Sequence, residues 1–249
     1  MFLNLLYGGY EGESAMLSNL TTSEAFIMVI IVGVAGMIVQ WRLRSVMSKY
    51  SEVPIPSGMT GAEIANAMLR SNGITDVTIT RAEGFLTDHY DPRNKTVNLS
   101  NEVYNGRSIA AAAVACHECG HALQHAYGYA PLKMRSALVP LVSFSSRIAT
   151  WLVIGGLFMT AYSGSQIICW IGVGLMCLSA LFSIITLPVE YNASNRALAW
   201  LESSGILVGE ELEGAKTSLR WAANTYLVAA LSAIASILYY IALINRRRN

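Results

Sequence analysis

Charged side chains vanish from three long stretches of this chain. No Asp, Glu, Lys or Arg falls in Ala25–Trp41, Ile148–Val189 or Trp221–Asn245, runs of 17, 42 and 25 residues. A bilayer-spanning helix takes about 20 mostly apolar residues, within a range of about 17–25. The first and third runs therefore each predict one span. The second predicts two, joined at the polar turn Tyr162-Ser163-Gly164-Ser165-Gln166. The expected order is an N-terminal segment at 1–24, spans at 25–41, 136–162, 166–187 and 221–245, and a basic tail at 246–249. Polar segments at 42–135 and 188–220 fill the intervals. Arg147 is expected at the interface or snorkelling towards it, because Ile148–Tyr162 alone is short for a span. Small residues (Gly155, Gly156, Gly172, Gly174, Ala229, Ala230, Ser232, Ala233, Ser236) dot the later spans and suit close helix contacts.

The polar segment 42–135 reads as a small α+β unit. Thr60 with Glu63 three residues on has the form of a capping box, and Ala62, Ile64, Ala65, Met68 and Leu69 then follow helical spacing to about Gly73. Val77, Ile79, Phe85, Val97 and Leu99 mark short strands. Asp91-Pro92-Arg93-Asn94 reads as the turn between two of them, with Asn94 suited to the left-handed region. Ser100 or Asn101 opens more helix, and a long helix is expected from about 108 to 127, ending near Gly128. The strand Thr96–Ser100 is expected to offer an edge to an extended substrate. The fold class is thus mainly α: a multi-pass membrane protein of about four transmembrane helices with a small α+β unit.

Composition agrees with the charge map. Of 249 residues 53% are hydrophobic and 13% charged, with a mean hydropathy of +0.43. Soluble domains carry about 25% charged residues. The net charge is +1, so no basic excess points to nucleic acid. The first apolar run follows Glu11, Glu13 and Glu24 with no Lys or Arg before it, unlike a secretory signal, and reads as a retained anchor. Four cysteines do not make a disulfide framework and are read as reduced. Nothing in the sequence sets an oligomeric state.

One motif carries chemistry. His117-Glu118-Cys119-Gly120-His121 is H-E-x-x-H within the expected long helix. Histidines at i and i+4 leave one helix face and can share a zinc ion. Glu118 is rotated off that line and can act as general base on a water that zinc acidifies. The metzincin continuation is missing, since Gln124 and Tyr127 hold its Gly and last His positions. His125 has drifted about 80° from His117 around the helix and reads as a supporting or structural residue. Cys116 and Cys119 form half of a structural zinc motif without a partner pair and are discounted. A downstream Glu, the gluzincin pattern, is left as third ligand. After Glu118 no acid occurs for 71 residues, until Glu190. Ser194 and Arg196 follow on the same expected helix, as a hydroxyl and a cation able to hold a ligand set.

The blocks Leu86–Arg93, Tyr104–Ser108, His117–His125 and Pro188–Leu198 together resemble the YugP-like family of neutral zinc metallopeptidases, prokaryotic multi-pass membrane proteins. The resemblance spans nearly the whole chain. It implies zinc ligands His117, His121 and Glu190 with catalytic Glu118. The family is similar in motif order to the HtpX-like membrane proteases. Those carry Glu-x-x-x-Asp where this chain has Glu190-x-x-x-Ser194.

The expected activity is zinc-dependent endopeptidase cleavage of membrane or membrane-proximal proteins, with one Zn2+ per chain and a protein or peptide substrate. His89, Tyr191 and Arg196 are the candidate oxyanion donors. The rival is a membrane scaffold or chaperone-like protein whose zinc site is structural and closed by a fourth ligand such as His125 or Cys119. Hydrolysis of a non-peptide substrate is a third reading of H-E-x-x-H. Four spans would place both polar segments on one side of the cell membrane. Nine Lys and Arg (Arg42, Arg44, Lys49, Lys133, Arg135, Arg147, Arg196, Lys216, Arg220) flank spans there, against Arg246, Arg247 and Arg248 opposite. The positive-inside bias then puts the active site on the cytoplasmic face.

Overall fold

In a computed structural model, residues 21–84 and 87–246 of the chain are described. The strand marker Phe85, Leu86 of the Leu86–Arg93 block, Glu11, Glu13, Arg247 and Arg248 lie outside the described residues. The order is α1 (Thr22–Ser51), α2 (Gly61–Ser71), β1 (Thr78–Ala82), β2 (His89–Asp91), β3 (Thr96–Ser100), α3 (Asn101–Tyr104), α4 (Ile109–Ala126), α5 (Ala130–Ser163), α6 (Ile167–Ser203) and α7 (Glu210–Arg246). The protein is mainly α. Helices α1, α5, α6 and α7 are long and apolar enough to cross a membrane. Their outer faces carry exposed Ile31, Trp151, Phe158 and Ile184, a surface that lipid covers and water would penalise.

The residues divide into two compact units. Among the described residues the first takes 21–36, 140–182 and 228–246. Its centre is Val153, Cys169, Val173 and Ile244. Two glycines allow the approach: a Cβ on Gly156 would lie 2.7 Å from the Cys169 backbone nitrogen, and one on Gly172 would lie 2.6 Å from a Val153 methyl.

The second unit takes 37–139 and 183–227. Helix α2 starts on the expected capping box: Thr60 Oγ1 accepts from Glu63 N, and Thr60 N donates to Glu63 Oε2 at 2.7 Å. Its apolar stripe, Ile64, Ala65, Met68 and Leu69, packs in one core with Ile109, Cys116 and Cys119 of α4. The sheet order is β1-β3-β2, with β1 parallel and β2 antiparallel to β3. This overturns the expected free edge on Thr96–Ser100. That strand is central, paired to β1 along its whole length and to β2 from Thr96 to Asn98. Its Ser100 N–H donates to Asp88 Oδ1 at 2.7 Å. The β2–β3 turn forms as expected, but the left-handed residue is Lys95 (φ 51°) rather than Asn94. The Lys95 amine pairs with Asp76.

Helix α4 is built on an alanine run of high helix propensity. Ser108 caps it, accepting from Ala111 N at 3.2 Å, and Gly128 (φ 66°) follows its end. Helix α6 runs unbroken through Pro188 to Ser203, so the apolar run and the Glu190 segment share one rod. Pro188 lacks the N–H for the Ile184 carbonyl, a deficit that membrane helices tolerate.

Candidate metal centre

The centre forms where α4 crosses α6. Gly120 decides how closely they meet: a Cβ there would lie 2.5 Å from the Ala193 carbonyl oxygen. A helical glycine costs roughly 0.5–1 kcal/mol relative to alanine. Here its missing side chain lets the α6 backbone seat against α4 between the two histidine positions. The His117 and His121 rings stand 4.8 Å apart, nearly perpendicular at 84°. Glu190, 2% exposed, faces them: its Oε2 is 3.2 Å from His117 Nε2 and 3.6 Å from His121 Nε2.

Each of the three side chains is held from behind. His121 Nδ1 is 3.0 Å from Gln124 Oε1. The Gln124 amide nitrogen donates to the Val189 carbonyl at 2.8 Å and to Asn192 Oδ1 at 3.1 Å. A backbone carbonyl only accepts, so Gln124 must present its oxygen to His121. Nδ1 therefore donates to Gln124, which leaves Nε2, the nitrogen turned towards Glu190, as the one able to ligate a metal. His117 Nδ1 is 3.1 Å from Ser194 Oγ. Arg135 Nη1 donates to Glu190 Oε1 at 3.0 Å and leaves Oε2 for the centre. Burial alone would push the His121 imidazole down. The hydrogen bond to Glu190 and the charges of Glu118 and Glu190 raise it instead, so this pocket favours a positive charge.

The donor set fits zinc. Ligand distances of about 2.0–2.1 Å at tetrahedral angles require donor atoms about 3.4 Å apart. The two histidine–glutamate separations bracket that value, and all three donor atoms lie within 4.8 Å of one another. Among the described residues this group has three members, which leaves room for a water or a substrate oxygen.

A cleft of about 140 Å³ opens beside the centre and is lined by His117, Glu118, Glu190 and Asp88 together with apolar side chains. Glu118 is 8% exposed. Asp88 accepts from Ser100 N and Oγ, but burial, with some help from Glu118, holds its carboxyl above the usual carboxylate range.

Residues 25–245 match the family described as "Putative neutral zinc metallopeptidase". The chain belongs to this zinc metallopeptidase family. It is also 43% identical over 202 residues to "Putative membrane protease YugP" of Bacillus subtilis (strain 168), covering 81% of this chain and 88% of that one. No solved structure matches. The metallopeptidase family and the largely buried His-His-Glu cluster both point to zinc.

Of the other residues singled out in this metallopeptidase sequence, only Ser194 meets the centre. Exposed His89 has its Nδ1 2.7 Å from the Thr87 carbonyl oxygen. Exposed His125 pairs with the Tyr90 hydroxyl at 2.8 Å. Cys119 is buried, its thiol directed at the Ala65 carbonyl oxygen. Tyr191 is 41% exposed. Arg196 donates to Asn192 Oδ1 at 2.8 Å and lies over the Tyr127 ring. The arginine that reaches the carboxylate is Arg135, whose position beside a span made it look like an interfacial charge. Gln124, Asn192 and Asp88 were also missed. Gln124 left one signal: an amide at i+3 from His121, on the apolar side of the helix.

Proposed function

We propose that this chain is a membrane-integrated zinc endopeptidase that hydrolyses peptide bonds in membrane or membrane-proximal proteins, with one zinc per chain on His117, His121 and Glu190. The observation that carries this reading is a three-donor set of zinc spacing beside a cleft that also holds Glu118. This is the gluzincin pattern.

Bound zinc supplies Lewis acidity, which acidifies water and polarises carbonyl oxygen. The chain does the rest. Glu118 takes a proton from water as it adds to the peptide carbonyl and passes that proton to the leaving amine. Ser194 and Gln124 hold the histidine rings in place, and Arg135 holds Glu190 by its outer oxygen. Tyr226 lines the cleft where His89, Tyr191 and Arg196 do not, and its hydroxyl is our choice to donate to the developing oxyanion.

Glu190 directly follows a 42-residue charge-free run, so the reaction takes place close to the membrane surface. The bias of Lys and Arg towards the polar segments supports a cytoplasmic side for that surface. A structural zinc site would need a fourth protein ligand, and exposed His125 and core-facing Cys119 are both engaged elsewhere. The test is cleavage of a peptide mixture by purified protein. Activity should disappear on chelation and return with zinc. Undiminished cleavage after complete zinc removal would refute the reading.

A further inference from the structure

We infer that the apolar part of the cleft is a subsite for one medium-sized apolar side chain, between leucine and phenylalanine in size, next to the scissile bond. The inference rests on the peptidase reading above. His117, Glu118 and Glu190 line the same cleft, so an occupant there adjoins the reacting carbonyl. The rest of the wall is mainly apolar, with Asp88, Ser194, Ser218 and Tyr226 as its polar members. Leu43 and Met47 come from α1, one turn apart, and Leu219, Ala222 and Ala223 come from α7.

The volume, about 140 Å³, matches a dry cavity able to take one benzene-sized group, for which about 150 Å³ suffices. It is too small for two bulky side chains. Ala222 and Ala223 set the size, since a longer side chain at either position would project into the space. Apart from the reacting groups and Tyr226, the polar atoms along the wall are engaged. Ser218 Oγ donates to the Gly214 carbonyl at 2.9 Å, Ser194 Oγ is at His117, and both Asp88 oxygens accept from Ser100. An amide side chain would lose its water there and find only Glu118 and Tyr226, the two groups assigned to the reaction, left to meet it.

The experiment uses the full-length, zinc-loaded protein in detergent micelles and a peptide library read by mass spectrometry. Cleavage sites should concentrate on bonds flanked at one fixed position by Leu, Ile, Met or Phe. Leu should be preferred over Ala by about tenfold or more, the scale on which apolar pockets discriminate. Ala222→Phe fills the cleft and should cut the Leu-to-Ala ratio at least tenfold with zinc per chain unchanged. Leu43→Ala enlarges it and should move the preference towards Phe and Trp. Cleavage with no apolar preference, a preference for Lys or Arg, or an unchanged ratio in zinc-loaded Ala222→Phe and Leu43→Ala would overturn the subsite and leave the peptidase reading standing. No cleavage at all by zinc-loaded protein would overturn both.

Discussion

Gln124 fixes the tautomer of His121. Its amide oxygen lies 3.0 Å from His121 Nδ1 because its amide nitrogen is committed to the Val189 carbonyl across the helix crossing. One buried side chain thus orients His121 on α4 and ties it to α6, the helix that carries Glu190, one residue before that glutamate. Gln124→Leu keeps the volume and removes both bonds. It should weaken zinc affinity about 10- to 100-fold, the usual cost of losing a residue that orients a ligand. Competition with a chromogenic chelator measures it, and unchanged affinity would deny Gln124 this part.

Arg135 should matter through Glu190. The guanidinium neutralises a carboxylate that is 2% exposed. Removing one partner of a buried ion pair strands the other and is strongly destabilising, about 3–5 kcal/mol for a fully buried pair and less for one with an exposed side. Arg135→Met should therefore lower both thermal stability and zinc occupancy, and Arg135→Lys should recover part of each. Thermal scans and metal analysis of the same preparations follow the two effects together.

Gly120 should tolerate no side chain. Gly120→Ala places a methyl 2.5 Å from a backbone oxygen that cannot rotate away. Such overpacking costs about 1–3 kcal/mol. The expected result is a lower unfolding midpoint together with reduced zinc content, because α6 must retreat and take Glu190 with it. Gly155 has open space at the same atom, and Gly155→Ala serves as the neutral control.

The membrane orientation has a direct readout. Four spans would put both chain ends opposite the catalytic face. Alkaline phosphatase fused after Asn249 should be active, and green fluorescent protein fused there should stay dark. Fluorescence would reverse the orientation.

The parts of this structure that obey local rules could be read from the residues. Thr60 and Glu63 lie within one helical turn, so their capping box is visible in four letters. His117 and His121 share a face by periodicity alone. Glu190 stood out because no other acid appears in the 71 preceding residues. Features set by distant partners stayed hidden. Arg135 meets Glu190 across 55 positions, and its charge is as common at a span end as in a site. β2 has three residues, too few to show alternation, so nothing revealed that it covers β3 and removes the expected edge. Lys95 takes the left-handed position in place of Asn94, which no local preference announces, and its amine meets Asp76, 19 positions away.

The central claim is that His117, His121 and Glu190 hold zinc so that Glu118 can move protons during peptide hydrolysis. Zinc content and peptide turnover, measured on the same samples of wild type, Glu118→Gln and Glu190→Ala, test it most directly. The account predicts one zinc per chain in wild type and in Glu118→Gln, with turnover in Glu118→Gln lower by at least about 100-fold, as expected for loss of a general base. Glu190→Ala should lose zinc and turnover together. Wild-type turnover in Glu118→Gln, or full zinc content in Glu190→Ala, would contradict it.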